Sequence, residues 1–123
     1  MGLFPGLMGA LFVAGGVGVA VFWGRTRLRA ERFGRTVWLR TDRQSPVPWE
    51  ELAFSDVAGV QMCRHFVRDS DSPYNSYEIN LVLRGPPVRR VNLVSHGNRE
   101  VAEDDAARLA EFLEVPFWDH TER

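Results

Sequence analysis

The chain has 123 residues, enough for one small domain, of which 45% are hydrophobic and 25% are charged. Its 16 acidic residues balance 15 basic ones, so it lacks the basic excess typical of nucleic-acid-binding proteins, and we expect no nucleic-acid partner. A single cysteine, Cys63, excludes an internal disulfide and is typical of a reducing compartment.

An uncharged run opens the chain, and it is long enough to cross a bilayer. Residues 2–24 carry no charged side chain, and a helix of that length extends about 34 Å, against about 30 Å of hydrocarbon. We therefore expect a membrane anchor in segment 1–24, with a retained transmembrane helix over residues 3–23. A cleaved signal peptide is the alternative, but no basic side chain precedes the run, and its large terminal residues (Phe22 and Trp23) make a poor cleavage site.

Small residues recur along this run at the spacing of one helix face. Because small side chains let two helices approach closely in lipid, we expect this face to pack against another integral membrane protein or a second copy of the chain. The residues of this face are Gly6, Ala10, Ala14 and Gly18. A run that is merely rich in glycine and alanine is the alternative interpretation.

Arginines follow directly and define a basic stem over residues 25–35, which we expect to continue as a helix to Gly34. By the positive-inside rule they place the next segment in the cytoplasm and the N-terminus outside. Some of them are also candidate contacts for anionic membrane lipid, at about 1 kcal/mol each near the surface. These are Arg25, Arg27, Arg29 and Arg32. A role in topology alone is compatible with the same residues.

Residues 36–123 are predicted to form the cytoplasmic domain, which begins with strands. Alternating polar and apolar residues predict a first strand at 36–41, and two prolines predict a loop at 42–51. Three further strands are predicted at 60–68, 76–84 and 88–94. Since short polar turns join these three, we expect an antiparallel meander with one buried face.

The last predicted element is an amphipathic helix over residues 99–114, with Asn98 as its N-cap. Its apolar stripe at helical spacing contains Ala102, Ala106, Leu109, Phe112 and Leu113. We expect this helix to cover the meander, and Phe117 and Trp118 to fold back against the sheet edge.

The opposite side of this helix is acidic. Glu103, Asp104 and Glu111 are predicted to form either a solvated surface or a docking surface for a basic partner.

This order of elements resembles the pleckstrin-homology-like cytosolic domains of small bacterial single-span membrane proteins. The resemblance covers about residues 50–119 and is carried by "FSDVAGVQM", "SYEINLVL", "VNLVSHGN" and "AARLAEFLEVPFWD". It implies an α+β fold, a bent barrel or sheet capped by a C-terminal helix, a place in the bacterial inner membrane, and a binding or assembly role. The chain is short before Leu52, so we expect one or two strands of a seven-stranded barrel to be missing. No ligand-binding residue carries over.

No motif indicates a reaction, a metal or a cofactor. Cys63 and His65 would share one face of a strand, but structural zinc sites usually contain two such pairs. Ser95, His96 and Asp119 are the residue types of a hydrolase triad, but Ser95 lacks the Gly-x-Ser-x-Gly context. We therefore predict a protein that is not an enzyme, with no catalytic residue, no metal site and no cofactor.

Two functions remain compatible with the sequence. The first is a non-enzymatic, membrane-anchored accessory or assembly subunit that packs against other transmembrane helices and docks on their cytoplasmic side. The second is a tethered regulatory domain that binds a lipid headgroup, a peptide or a small ligand through its sheet. The first depends on the small-residue face, and the second depends on a pocket or an open sheet edge.

Overall fold

The computed structural model describes residues 10–14, 19–23, 26–40, 49–68 and 71–121. Within these ranges the chain forms two β-sheets and one α-helix. The elements are β1 (Ala10–Ala14), β2 (Val19–Trp23), β3 (Arg27–Glu31), β4 (Thr36–Arg40), β5 (Glu50–Ala53), β6 (Val57–Val67), β7 (Tyr74–Leu83), β8 (Arg89–His96), α1 (Arg99–Leu113) and β9 (Phe117–His120).

The two sheets follow each other along the chain. The first has the strand order β1-β2-β3-β4-β5, and every neighbouring pair is antiparallel. A short 3₁₀ helix, Phe54–Asp56, leads into the second sheet, whose order is β8-β7-β6-β9. Strand β9 lies parallel to β6, because α1 carries the chain back across the sheet before β9 begins.

The transmembrane helix predicted over residues 3–23 is wrong. Residues 10–14 and 19–23 are strands that pair antiparallel, with Ala14 opposite Val19. Among the residues that the structure describes, no helix is long and apolar enough to cross a bilayer. The run is rich in valine and aromatic residues, which favour strands, and in glycine, which disfavours a helix in water. Its lack of charge therefore did not distinguish a membrane helix from paired strands.

This correction removes the basis for the helix-packing face. Ala10 and Ala14 lie at the two ends of β1, whereas Gly6 and Gly18 lie outside the described residues. Residues four apart also share a face of a strand, but the contact proposed for these small residues was between two helices in lipid, and it does not apply to a strand. The predicted membrane orientation, with the N-terminus outside, also depends on that helix and is not carried further.

The described part of the basic stem contains strand β3 and a turn at residues 32–35, so the helix expected to continue to Gly34 is wrong. In β3 the exposed Arg27 and Arg29 alternate with Leu28 and Ala30, which are buried. This period of two is the pattern of a half-buried strand. The segment before Leu52, where we expected one or two strands of a barrel to be missing, contains β1 to β4 and the start of β5.

The meander and the C-terminal helix are confirmed. The predicted strands correspond to β4, β6, β7 and β8, and α1 begins after Asn98, whose side chain accepts a hydrogen bond from the Val101 N–H at 3.1 Å. One continuous core lies between the helix and the two sheets. Its largest fully buried side chains include Leu28 and Leu39 of the first sheet, Met62, Ile79, Leu81 and Leu93 of the second, and Leu109 and Leu113 of α1.

A β-bulge in β8 connects the two sheets. Ile79 pairs with Val94 and Asn80 pairs with Asn92, so Leu93 is the extra residue. Buried Thr26, just before β3, donates its N–H to the Leu93 carbonyl at 3.1 Å and its hydroxyl to the Asn92 carbonyl at 2.6 Å. These two hydrogen bonds fix the edge of the second sheet against the first.

Candidate functional site

A groove crosses the outer face of the second sheet, which is the face opposite the core. Two adjoining cavities of about 410 and 430 Å³ form it, and both are lined by Gln61, Arg90 and His120. Each volume lies within the range of small-molecule sites. We call this region, together with Asn80, which hydrogen-bonds to Gln61, the outer groove.

The two ends of the outer groove differ in chemistry. Val82, Val88 and Trp118 line the apolar end. Cys63 and Arg64 line the polar end. The groove therefore offers both a hydrophobic wall and cationic hydrogen-bond donors.

A chain of side-chain hydrogen bonds crosses the four strands of this sheet. Asn92 Nδ2 donates to Asn80 Oδ1 at 3.0 Å, and Asn80 Nδ2 donates to Gln61 Oε1 at 3.2 Å. Gln61 Nε2 lies 2.8 Å from His120 Nδ1, and Arg90 donates to Gln61 Oε1 at 3.2 Å. Asn80 is only 5% exposed although it lies on the outer face, because its neighbours cover it.

The chemistry of Arg90 sets the direction of this chain. A guanidinium group only donates, so the Gln61 atom beside it must be the carbonyl oxygen, and the amide nitrogen then faces His120. An amide nitrogen also only donates, so His120 Nδ1 must accept, and the proton of the neutral ring is on Nε2. The series of hydrogen bonds therefore ends in the Nε2–H donor of His120, which lines both cavities.

The indole of Trp118 forms one wall of the groove and packs directly against the backbone of Gly59. A Cβ atom added at Gly59 would lie 2.7 Å from both Cζ3 and Cη2 of the indole, which is closer than real contacts allow. The indole ring is also parallel to the His120 ring, with 6.5 Å between the ring centroids and 3° between the planes. Glycine at position 59 is thus required for the position of this wall.

The carboxylate of Asp119 fixes β9, and with it the two groove residues Trp118 and His120. The Thr121 hydroxyl and backbone N–H donate to Asp119 Oδ1 at 2.6 and 3.0 Å, and Arg99 donates to Oδ2 at 3.1 Å. The hydrogen bond from the Thr121 hydroxyl is the main reason that the pKa of Asp119 lies below its ordinary value, with Arg99 adding to it. Strand β9 is therefore bound to the first turn of α1.

The thiol of Cys63 is held in its neutral form. Burial raises the pKa of this thiol, and the positive charge of Arg90 opposes that rise more strongly than the negative charge of Glu78 supports it. A neutral thiol is a weak nucleophile. Cys63 therefore contributes a half-buried, weakly polar surface to the groove.

Three of the four arginines predicted to contact lipid are described, and none of the three lines the outer groove. Arg27 and Arg29 are exposed on β3, and the Arg29 guanidinium lies 5.7 Å from the centroid of the Trp38 ring. Arg32 stacks over the Phe112 ring at 4.6 Å, so it covers the end of α1. Arg25 lies outside the described residues. A contact with lipid remains a prediction.

The predicted acidic docking surface is exposed on α1. Glu103, Asp104 and Glu111 are all exposed, and Arg108 lies 3.7 Å from Asp104, one helical turn away. Exposure fits either a solvated face or a docking surface, so the docking role remains a prediction.

The residues considered for a hydrolase triad are not brought together. His96 Nε2 lies 3.2 Å from Asp105 Oδ2 in a nearly buried pair that links β8 to α1, and the Asp119 carboxylate is engaged by Thr121 and Arg99. In the described part of the chain, no three His, Cys, Asp or Glu side chains form a group suited to a metal ion.

Sequence reasoning missed most residues of the outer groove. Gln61, Asn80 and Arg90 are the outward members of strands whose inward members were recognised as core. The alternation pattern marks such residues as outward, but it does not predict that they lie side by side.

Comparison with known proteins adds no assignment to this site. No family model, no curated protein and no solved structure matches the chain. The resemblance to pleckstrin-homology-like domains therefore remains a prediction.

Proposed function

We propose that this chain is a non-enzymatic regulatory domain that binds a small ligand in the outer groove. The observation that carries this proposal is the hydrogen-bond chain from Asn92 to His120, which ends in a donor beside Arg90 and an indole wall. Polar side chains on an exposed sheet face normally bond to water. Here they bond to one another across four strands, so their geometry is set before a ligand arrives, and pre-organisation lowers the cost of binding.

A small ligand fits the dimensions better than the other two classes of ligand considered from the sequence. The two cavities, of about 410 and 430 Å³, are in the range for a small molecule. The sheet edges suit an extended peptide less well, because β9 has only four residues and the Asn92 and Leu93 carbonyls of β8 already accept hydrogen bonds from Thr26. Of the arginines considered for lipid headgroups, Arg27 and Arg29 lie on β3 and Arg32 lies in the turn after it, and none of these three lines the groove.

The assembly function has less support than ligand binding. It required a transmembrane helix with a packing face, and that segment contains strands. The exposed acidic face of α1 is what remains in its favour.

The proposal is tested by screening the full-length chain against a library of water-soluble fragments that contains anionic, cationic and neutral members. Binding is followed by NMR at the indole N–H of Trp118 and the side-chain amide of Gln61. We expect at least one charge class to shift both signals while the indole of Trp38, on the first sheet, stays unchanged. If no class shifts the groove signals, or if Trp38 responds equally, the proposal is wrong.

A further inference from the structure

We infer that the ligand of the outer groove is a small carboxylate with a planar apolar body, and this inference rests on the proposed function. The carboxylate is placed between Arg90 and His120, and the apolar body lies along Trp118, Val82 and Val88. The reasons are the number of donors at the polar end, the sign of the charge there and the apolar surface beside it.

Arg90 and His120, which line both cavities, supply hydrogen-bond donors and no strong acceptor. Arg90 is exposed, and its Nη1 nitrogen donates to Gln61 Oε1, so further N–H groups of the guanidinium are available. His120 adds one Nε2–H, because its Nδ1 accepts from Gln61. A carboxylate has two oxygens that accept such hydrogen bonds, and charge-assisted hydrogen bonds are the stronger kind.

The local charge favours an anion. The positive charge of Arg90 acts on the Cys63 thiol more strongly than the negative charge of Glu78, which pairs with Cys63 across β6 and β7. Asp119, beside His120, is already engaged by Thr121 and Arg99. A cationic ligand in the groove would meet Arg90, and no carboxylate is among the described residues that line the two cavities.

The apolar end accounts for the rest of the ligand. Val88 is 68% exposed, and Val82 forms a floor that is 9% exposed beside the indole of Trp118. A flat ring laid on these side chains would remove apolar surface from water, and stacking on the indole would add to the gain. A simple anion such as acetate would leave this surface uncovered.

Three matched probes separate these contributions in the full-length chain. Benzoate has both parts, benzamide keeps the ring without the charge, and acetate keeps the charge without the ring. Titrations followed at the Trp118 indole and the His120 ring are expected to give an affinity for benzoate about tenfold or more above that for either other probe.

The variant Arg90→Gln tests the charge directly. This substitution should lower the affinity for benzoate about tenfold or more, because a hydrogen bond between two charged groups is lost. It should weaken benzamide binding by a clearly smaller factor, because the neutral amide has a single carbonyl acceptor and no negative charge opposite the guanidinium. Arg108→Gln on α1 is the control and should change neither affinity.

The outcomes distinguish this inference from the proposed function. If benzamide binds the groove as tightly as benzoate, or if Arg90→Gln lowers the two affinities equally, the assignment of a carboxylate ligand is wrong. The outer groove would still be a ligand site. If acetate binds with the same affinity as benzoate, the assignment of a planar apolar body to the ligand is wrong. If none of the three probes shifts the groove signals, the inference is wrong, and the fragment screen alone then decides the proposed function.

Discussion

The substitution Leu109→Ala is expected to lower the free energy of unfolding by about 2–5 kcal/mol. Leu109 is completely buried in α1 and belongs to the core cluster that also contains residues of both sheets. Truncating its side chain removes buried apolar surface, which lowers the hydrophobic contribution to stability. It also leaves a cavity between α1 and the two sheets. Since small domains are stable by only about 5–15 kcal/mol, this is a large share of the total.

Urea unfolding followed by circular dichroism measures this loss, with Val101→Ala as the matched control. Val101 lies on the same helix but is 45% exposed, so its truncation should change the free energy of unfolding by less than about 0.5 kcal/mol. Equal, small losses in both variants would mean that α1 does not pack against the sheets.

Gly59→Ala is the second substitution with a large expected effect. The added Cβ would lie 2.7 Å from the Trp118 ring and 3.1 Å from the Pro116 carbonyl oxygen. Because the ring is rigid, the indole or the backbone of β6 must shift, at a cost of about 1–3 kcal/mol in the free energy of unfolding. The Trp118 indole NMR signal should shift as well.

A double-mutant cycle identifies the cause of this loss. In a Trp118→Leu background the same Gly59→Ala change should cost less than about 0.5 kcal/mol, since the indole is gone. Gly97→Ala is the control for a neutral position, because a Cβ there meets nothing within 4 Å. An undiminished penalty without the indole would place the clash at Pro116 and contradict the role assigned to Gly59.

Period-two alternation and helical spacing were sufficient to predict the C-terminal half of the fold. In β7 the inward Tyr77, Ile79 and Leu81 alternate with Glu78 and Asn80, and the stripe of α1 repeats at three and four residues. Both patterns report which side chains meet the core, and burial is the main determinant of these elements.

The N-terminal part was mispredicted because an apolar run carries no period. A continuous apolar segment fits a buried helix or buried strands equally well. The clearer signal was further on, where Arg27, Leu28, Arg29 and Ala30 alternate over β3. Interpreting the arginines as a flank of a membrane helix concealed that alternation.

The outer groove was not predictable because it depends on strand register. Gln61, Asn80 and Asn92 occupy three strands and become neighbours only through the pairings of Gln61 with Asn80 and of Asn80 with Asn92. His120 joins them because β9 returns parallel to β6. A one-residue slip in any of these strand pairings would move one of the hydrogen-bonded side chains to the opposite face of the sheet.

The protonation of His120 tests the central claim, that a directed hydrogen-bond chain ends in the outer groove. Nitrogen-15 NMR of the imidazole rings distinguishes the two neutral tautomers. In the native chain we predict that His120 carries its proton on Nε2, because Nδ1 accepts from Gln61. In Gln61→Glu the amide donor becomes an acceptor, and Nδ1 should become protonated. A proton on Nδ1 in the native chain, or no change at Nδ1 in Gln61→Glu, would contradict the account.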